Sequence, residues 1–342
     1  MSTMNTTPPV ETQGTRIPLL DLTRLRHPDI DVRRKLGREL AELCRTVGFF
    51  YIVNHGVDVA KIDGMFYQAK RFFALPEHEK VALSMTSNPH WRGYLPMRML
   101  GNDAEMKGNM LESFHVWQEH ADDDPGLLAN KPLHARNIWP AALPGLRPAA
   151  LAYVAEVTEL AKQMMRLAAL GLDLPEDTFV RYFTNPISLL RLIHYPPQQP
   201  ADPADIYGTR PHTDNGAFTL LAQDQTGGLE IMGPDGDWLP VPPVAGSFVI
   251  NLGEMMKVWT NGLFRATPHR VINKFGKDRY SSPFFLNPDY DHVVAPVMHG
   301  EAGAVEPVFH TTVGRDEAAT CGEILTRLYR RIWPSALEGQ VK

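Results

Sequence analysis

The segment "RPHTDNG" at residues 210–216 sets an imidazole and a carboxylate two positions apart. In an extended strand, residues i and i+2 leave the same face about 7 Å apart at the backbone, so His212 and Asp214 can converge while Thr213 points away. What they converge on is a proton, a substrate or a metal ion. A metal needs a further ligand, and "ATPHRVINK" offers His269 after 54 intervening residues, enough chain for roughly four strands to return to the same edge. Two imidazoles and one carboxylate on one face leave the opposite coordination positions open, as iron(II) oxygen chemistry requires. Zinc satisfies the same ligand count, so residue types alone leave the metal open.

Ten residues beyond His269, "RYS" places Arg279 and Ser281 at i and i+2. The expectation is a hairpin turning through "FGKD" near Gly276, which would put Arg279 opposite Ile272, about 10 Å along the strand from His269. A guanidinium fork beside a hydroxyl makes a carboxylate receptor. That separation suits a short dicarboxylic acid whose other end chelates the metal. Taken singly, each residue has a plainer reading: a buried His is usually satisfied by core hydrogen bonds, and a buried Arg by an ion pair. Their joint order and spacing carry the metal reading. His194 and His55 read as a satisfied histidine and a turn buttress. Thirteen histidines without a clustered tract argue against a second metal site, and the lack of a GxSxG elbow argues against a hydrolase.

The elements that must position these residues change character along the chain. "DVRRKLGRELAELCRTVG" repeats apolar residues at helical spacing until Gly48, and "FFYIVNHG" follows as a β-rich run. Further helices are expected over "VAKIDGMFYQAKRFFAL" and "AALAYVAEVTELAKQMMRLAALGL", where Met164 and Met165 read as core packing. From about residue 185 the chain becomes short strands broken by Gly, Pro and Asp, with "GPDGD" as a hairpin loop. Many short strands with tight turns mean a sandwich, barrel or jelly roll. A last helix is expected over "EAATCGEILTRLYRRIWPSAL". The Pro- and Asp-rich "PPQQPADPADIYGTRP" leads directly to His212 and is positioned to act as a lid.

A chain of 342 residues can bury a large core as one decorated domain. Its 44% hydrophobic and 21% charged residues are an ordinary globular composition. Lys and Arg (34) nearly balance Asp and Glu (39), for a net charge of -5, and no basic stripe suits a phosphate backbone, so nucleic acid is not an expected partner. Neither an apolar span nor a secretory n- and h-region is visible, and two cysteines make no disulfide framework. The expectation is a cytoplasmic protein that acts on a small molecule and does not enter a membrane. Oligomeric state is not readable.

The ordered set HxD, TPHRV and RxS, with "IPLLDL", "GFFYIVNHGV", "FFALPEHEK", "GGLEI" and "NLGEMMKVWTNG", resembles the isopenicillin N synthase-like branch of the iron(II)- and 2-oxoglutarate-dependent dioxygenases. The resemblance covers nearly the whole chain. It implies a mainly β fold with flanking α elements: a double-stranded β-helix, the cupin-like jelly roll, wrapped by N-terminal helices and a C-terminal helix. On that basis residues 1–14 are a flexible tail, 15–184 the N-terminal helical and strand region, 185–310 the jelly-roll core and 311–342 a C-terminal helix, in one integrated domain. The resemblance also implies that His212, Asp214 and His269 are the catalytic iron ligands, and that Arg279, Ser281 and Tyr195 bind 2-oxoglutarate. Arg92, Tyr94 and Phe285 are candidates for the substrate. Where many plant members have "NYYPP", this chain has Ile193 and His194, which removes a polar neighbour of the co-substrate; Glu254 replaces the more usual Asp of "NLGD" in a structural role. The implied reaction consumes O2 and 2-oxoglutarate, releases succinate and CO2, and hydroxylates, desaturates or cyclises a small molecule, for example in secondary metabolism. Alternatives are a 2-oxoglutarate-independent oxidase of the isopenicillin N synthase or ACC oxidase type, an ethylene-forming enzyme, and a non-catalytic ligand-binding jelly roll.

Overall fold

A computed structural model describes residues 10–12, 15–85, 90–97, 109–199, 202, 206–298 and 319–333. Its first half carries strands β1 (Val10–Thr12), β2 (Thr15–Ile17) and β3 (Leu19–Asp21), helix α1 (Ile30–Thr46) and strand β4 (Phe49–Val53). Helices α2 (Val59–Phe73) and α3 (Glu77–Val81), strands β5 (Gly93–Leu95) and β6 (Glu112–Trp117), and helices α4 (Pro125–Leu128) and α5 (Leu146–Gly171) complete it. The second half supplies β7 (Leu189–Tyr195), β8 (Thr209–His212), β9 (Phe218–Gln223), β10 (Leu229–Met232), β11 (Trp238–Pro240) and β12 (Phe248–Leu252). After α6 (Glu254–Trp259) come β13 (His269–Val271), β14 (Arg279–Phe285) and α7 (Cys321–Ile332).

The helices start where side chains cap them. Asp29 accepts from Asp31 N–H at the start of α1, Asp58 from Ala60 N–H at α2, and Thr320 with Glu323 forms a reciprocal capping box at α7. α1 buries Leu36, Leu40, Ala41 and Cys44 on one face and packs along α5; each Leu contributes about 1.5–3 kcal/mol by leaving water. It stops at Gly48, whose φ of +66° no side-chain-bearing residue adopts cheaply. Met164 and Met165 are fully buried in α5, as core packing requires. Among the described residues no helix is long and apolar enough to cross a membrane.

The strands form an eight-stranded sheet in the order β3-β4-β12-β9-β14-β7-β6-β5 and a four-stranded sheet in the order β11-β10-β13-β8. These are the two sheets of a jelly roll. Loop "GPDGD" closes the β10–β11 hairpin, with Met232 opposite Trp238. The second expected hairpin is not formed. Although Gly276 turns with φ +68°, β13 pairs with β10 and β8 in the small sheet, while β14 pairs with β7 and β9 in the large one. Arg279 therefore stands opposite Tyr195 rather than Ile272.

Strand β6 is an addition to the sequence reading. All six of its residues are buried although Glu112, Ser113 and His115 are polar. Glu112 is accommodated because its carboxylate accepts from Lys80 Nζ at 2.8 Å and the Tyr94 hydroxyl at 2.6 Å, and pairs with His194 Nδ1 at 2.7 Å. Residues 10–12, inside the stretch read as a tail, pair with 15–17. The remainder of that tail, residues 200, 201 and 203–205 of the expected lid, and residues 299–318 and 334–342 lie outside the described residues.

Candidate metal centre

Period-2 alternation delivers the site. One cavity between the two sheets is lined by Arg191, Ile193 and Tyr195 from β7, by His269 and Val271 from β13, and by Arg279, Ser281, Pro283 and Phe285 from β14. His212 at the end of β8 is the register partner of His269, so strand pairing itself sets the two imidazoles side by side, with ring centroids 4.2 Å apart. Asp214 follows just past the strand end. Its Oδ1 lies 3.7 Å from His212 Nε2 and 3.8 Å from His269 Nε2.

Each donor is aimed by its neighbours. His212 Nδ1 faces the carbonyl of Arg210 at 2.8 Å and His269 Nδ1 that of Thr267 at 3.2 Å, which leaves both Nε2 lone pairs turned toward Asp214. Asp214 Oδ2 accepts from Thr219 Oγ1 at 2.5 Å and Asn251 Nδ2 at 2.7 Å, so only Oδ1 remains for a ligand. Burial, and then the charge of His269, push His212 well below its ordinary pKa. Burial opposes the charge on Asp214, but the two histidines and its hydrogen bonds outweigh it and hold the carboxyl below its usual range. Two imidazoles and one carboxylate, each with a single free donor atom converging, are a donor set that fits iron(II).

The other end of the cavity holds Arg279, 1% exposed. Its Nε donates to Gly227 O at 2.6 Å and its Nη2 to Gln223 Oε1 at 3.3 Å, and the guanidinium lies over the Tyr195 ring at 4.8 Å. Its Nη1 is buried and has no hydrogen-bond partner among the described residues. Such an orphaned charged donor is costly unless an anion meets it. Gly227 and Gly228, at φ +89° and +92°, make the bend that brings the Gly227 carbonyl to Arg279.

Phe285 lines the cavity as expected, but Arg92 and Tyr94 do not. Arg92 is fully buried and donates to Gln118 O, Leu133 O and Asn137 Oδ1, while the Tyr94 hydroxyl is engaged by Glu112. Both are structural because β5 and β6 turn them into the core. His194 faces away from the cavity onto Glu112 and Asp278, and His55 Nδ1 accepts from Val57 N–H to fix its turn. Glu254 is buried and paired with Lys257 at 3.4 Å.

Sequence reasoning missed Arg191. Its Nε donates to Ser113 Oγ at 3.1 Å, and its Nη2 is inaccessible and unpartnered among the described residues. Burial depresses its pKa, against the opposing pull of Tyr195, Tyr329 and Asp214. Arg191 lies four residues along β7 from Tyr195, about 13 Å from the Arg279 end. The signal available was a lone Arg in phase with Tyr195 in "RLIHY".

Sheet topology and donor set together define a jelly-roll oxygenase of the non-haem iron class. Comparison with known proteins agrees. The 2OG-Fe(II) oxygenase superfamily matches residues 186–288, and the N-terminal family of non-haem dioxygenase in morphine synthesis matches residues 17–142. The 2-oxoglutarate-Fe(II) type oxidoreductase hxnY of Emericella nidulans is 36% identical over 282 residues, covering 81% of this chain and 80% of that protein. A 1-aminocyclopropane-1-carboxylate oxidase of Dictyostelium mucoroides is 29% identical over 310 residues, covering 81% and 83%. Neurospora crassa T7H, solved in complex with alpha-KG and thymine, superposes with a TM-score of 0.78 at 25% identity, covering 95% of this chain and 99% of that one. The chain belongs to the 2OG-Fe(II) oxygenase superfamily: it is an enzyme of a family that works with iron(II), 2-oxoglutarate and O2 and whose members act on small molecules.

Proposed function

We propose that this enzyme oxidises an unactivated C–H bond of a small molecule, coupled to decarboxylation of 2-oxoglutarate. In the hydroxylating case one oxygen atom of O2 enters succinate, the other enters the product, and CO2 leaves. His212 Nε2, Asp214 Oδ1 and His269 Nε2 would hold iron(II), which when bound supplies the dioxygen activation that protein groups lack. The observation that carries the co-substrate reading is the buried Nη1 of Arg279, unpartnered among the described residues in the cavity of the triad. That donor takes the far carboxylate, with the Ser281 hydroxyl and the Tyr195 ring completing the receptor.

The substrate occupies the opposite end, where Arg191 and Phe285 line the wall. An inward guanidinium with a spare donor selects a substrate that carries a carboxylate or a carbonyl oxygen, as thymine in the related T7H complex does. Apolar walls from Phe49, Ile193, Leu221, Leu229 and Pro283 exclude water from the reacting carbon. The similarity to an ACC oxidase keeps one alternative in view, an oxidase that dispenses with 2-oxoglutarate.

The test is a turnover balance on iron-loaded enzyme with a panel of carboxylic acids and carbonyl-bearing heterocycles. One succinate per O2 is expected, stimulated by substrate, and Arg279→Ala should raise KM for 2-oxoglutarate roughly 10- to 100-fold, the value of a hydrogen bond to a charged partner. Substrate-dependent O2 uptake without succinate would decide for the alternative.

A further inference from the structure

We propose that His120, Asp124 and His134 form a second divalent-cation site, suited to a zinc-class ion and separate from the iron cavity. Their donor atoms lie within 4.8 Å of one another, the separation that also holds for His212, Asp214 and His269. None of the three lines the cavity between the sheets.

Each residue is posed as a ligand. Asp124 caps α4 with Oδ1, accepting from Leu127 N–H at 2.9 Å, which turns Oδ2 toward His120 Nδ1 at 3.4 Å. Two donors each about 2.1 Å from a tetrahedral zinc stand roughly 3.4 Å apart. His134 Nδ1 faces the carbonyl of Pro132, two residues back, at 3.1 Å. His212 and His269 use the same device toward Arg210 and Thr267, and in all three it leaves Nε2 as the free lone pair.

The independent observation is His120 itself. Its side chain is 1% exposed, its Nδ1 meets only Asp124 Oδ2 at 3.4 Å, and its Nε2 has no hydrogen-bond partner among the described residues. A buried imidazole with one nitrogen unmet and the other held only by a long contact to a carboxylate wants a ligand. The rings of His120 and His134 lie 4.6 Å apart, and Asn185 Nδ2 steadies Asp124 Oδ2 at 3.2 Å. Arg92, a neighbouring cation, is turned onto Gln118 O, Leu133 O and Asn137 Oδ1.

Two imidazoles and a carboxylate, with water as the fourth ligand, are a borderline-soft set that selects zinc or cobalt(II) over magnesium or calcium. The bound ion would clamp residues 120–134 of the segment after β6, which packs on residues 289–292. His134 already packs there against Tyr290, and Lys131 pairs with Asp291. The proposal stands apart from the oxygenase reading.

The test titrates chelator-stripped full-length protein with cobalt(II), reading the visible band of the tetrahedral ion and the stoichiometry by dialysis. Wild type should bind two equivalents. The His269→Ala variant should keep one, displaced by zinc, and adding His120→Ala or His134→Ala should remove it. As a check independent of the iron ligands, His120→Gln with unchanged circular dichroism should bind one equivalent where wild type binds two. A single equivalent in wild type that His269→Ala abolishes, or cobalt retained in the double variants, would overturn the proposal.

Discussion

Glu112 shows what a single buried charge asks of its surroundings. Its 3% exposure is tolerated because Lys80, Tyr94 and His194 all converge on the carboxylate. Burial would raise its pKa, but these bonds outweigh burial and lower it. Burial likewise opposes the charge on His194, yet bonds to Glu112 and Asp278 raise its pKa above the ordinary value. The signs then fix a window. Stabilisation from Glu112 is present above its unfolded pKa of about 4.3 and fades as pH falls through its folded value; that from His194 is complete below about 6.5 and fades as pH rises through its raised folded value. His194→Gln should therefore lower Tm most near pH 5.5, by a few degrees for the ~1.5–3 kcal/mol of a charged hydrogen bond, and progressively less in alkaline buffer. Thermal melts at both ends would decide; a gap independent of pH would count against this account. The proposed iron ligands were legible because a metal needs its donors on one face, and i, i+2 spacing gives one. Arg191 was not, because a lone guanidinium in an apolar strand looks the same in sequence whether its face turns to water or into a cavity.

At the scale of elements, the sequence located most strands and helices but misjudged one connection. The turn chemistry near Gly276 is real, yet the chain uses it to pass from the small sheet to the large one, because β14 finds better partners in β7 and β9 than in β13. Strand β6 escaped notice because its charged Glu112 is satisfied by groups remote in sequence. The bend at Gly228 ties an element to the site. A Cβ there would sit 2.4 Å from the Ile272 carbonyl at a φ of +92°. Gly228→Ala should cost about 1–3 kcal/mol in backbone strain and move the Gly227 carbonyl off Arg279. Weaker 2-oxoglutarate binding should accompany the lower Tm, and calorimetry on the variant would show whether the two losses travel together.

For the whole molecule, the cavity that holds the candidate centre lies between the two sheets, and Asp214, just past the small sheet's β8, is held by Thr219 and Asn251 of the large one. The proposed ligands come from β8, its following turn and β13, while the proposed carboxylate receptor comes from β14 across the cavity. Iron(II) should therefore stabilise the entire fold, by about 2.7 kcal/mol at a hundredfold excess over Kd. 2-Oxoglutarate should add to this only when iron is bound and Arg279 is intact. Anaerobic melts of wild type and Asp214→Ala check this; an iron-dependent rise surviving in Asp214→Ala at the concentrations that saturate wild type would speak against the assignment. The cluster of His120, Asp124 and His134 belongs to this scale too. Its members are scattered in a loop-rich segment, and only the packing of that segment gathers them.

The pairing of His212 with His269 has a practical corollary for protein engineers. Since a ladder position rather than a loop conformation sets the distance between these rings, one added or deleted residue inside either short strand would flip a ring to the far side and abolish the centre. Grafts into the connecting segments, by contrast, leave that spacing untouched, so the entrance can be rebuilt for new molecules while the reactive heart stays as it is.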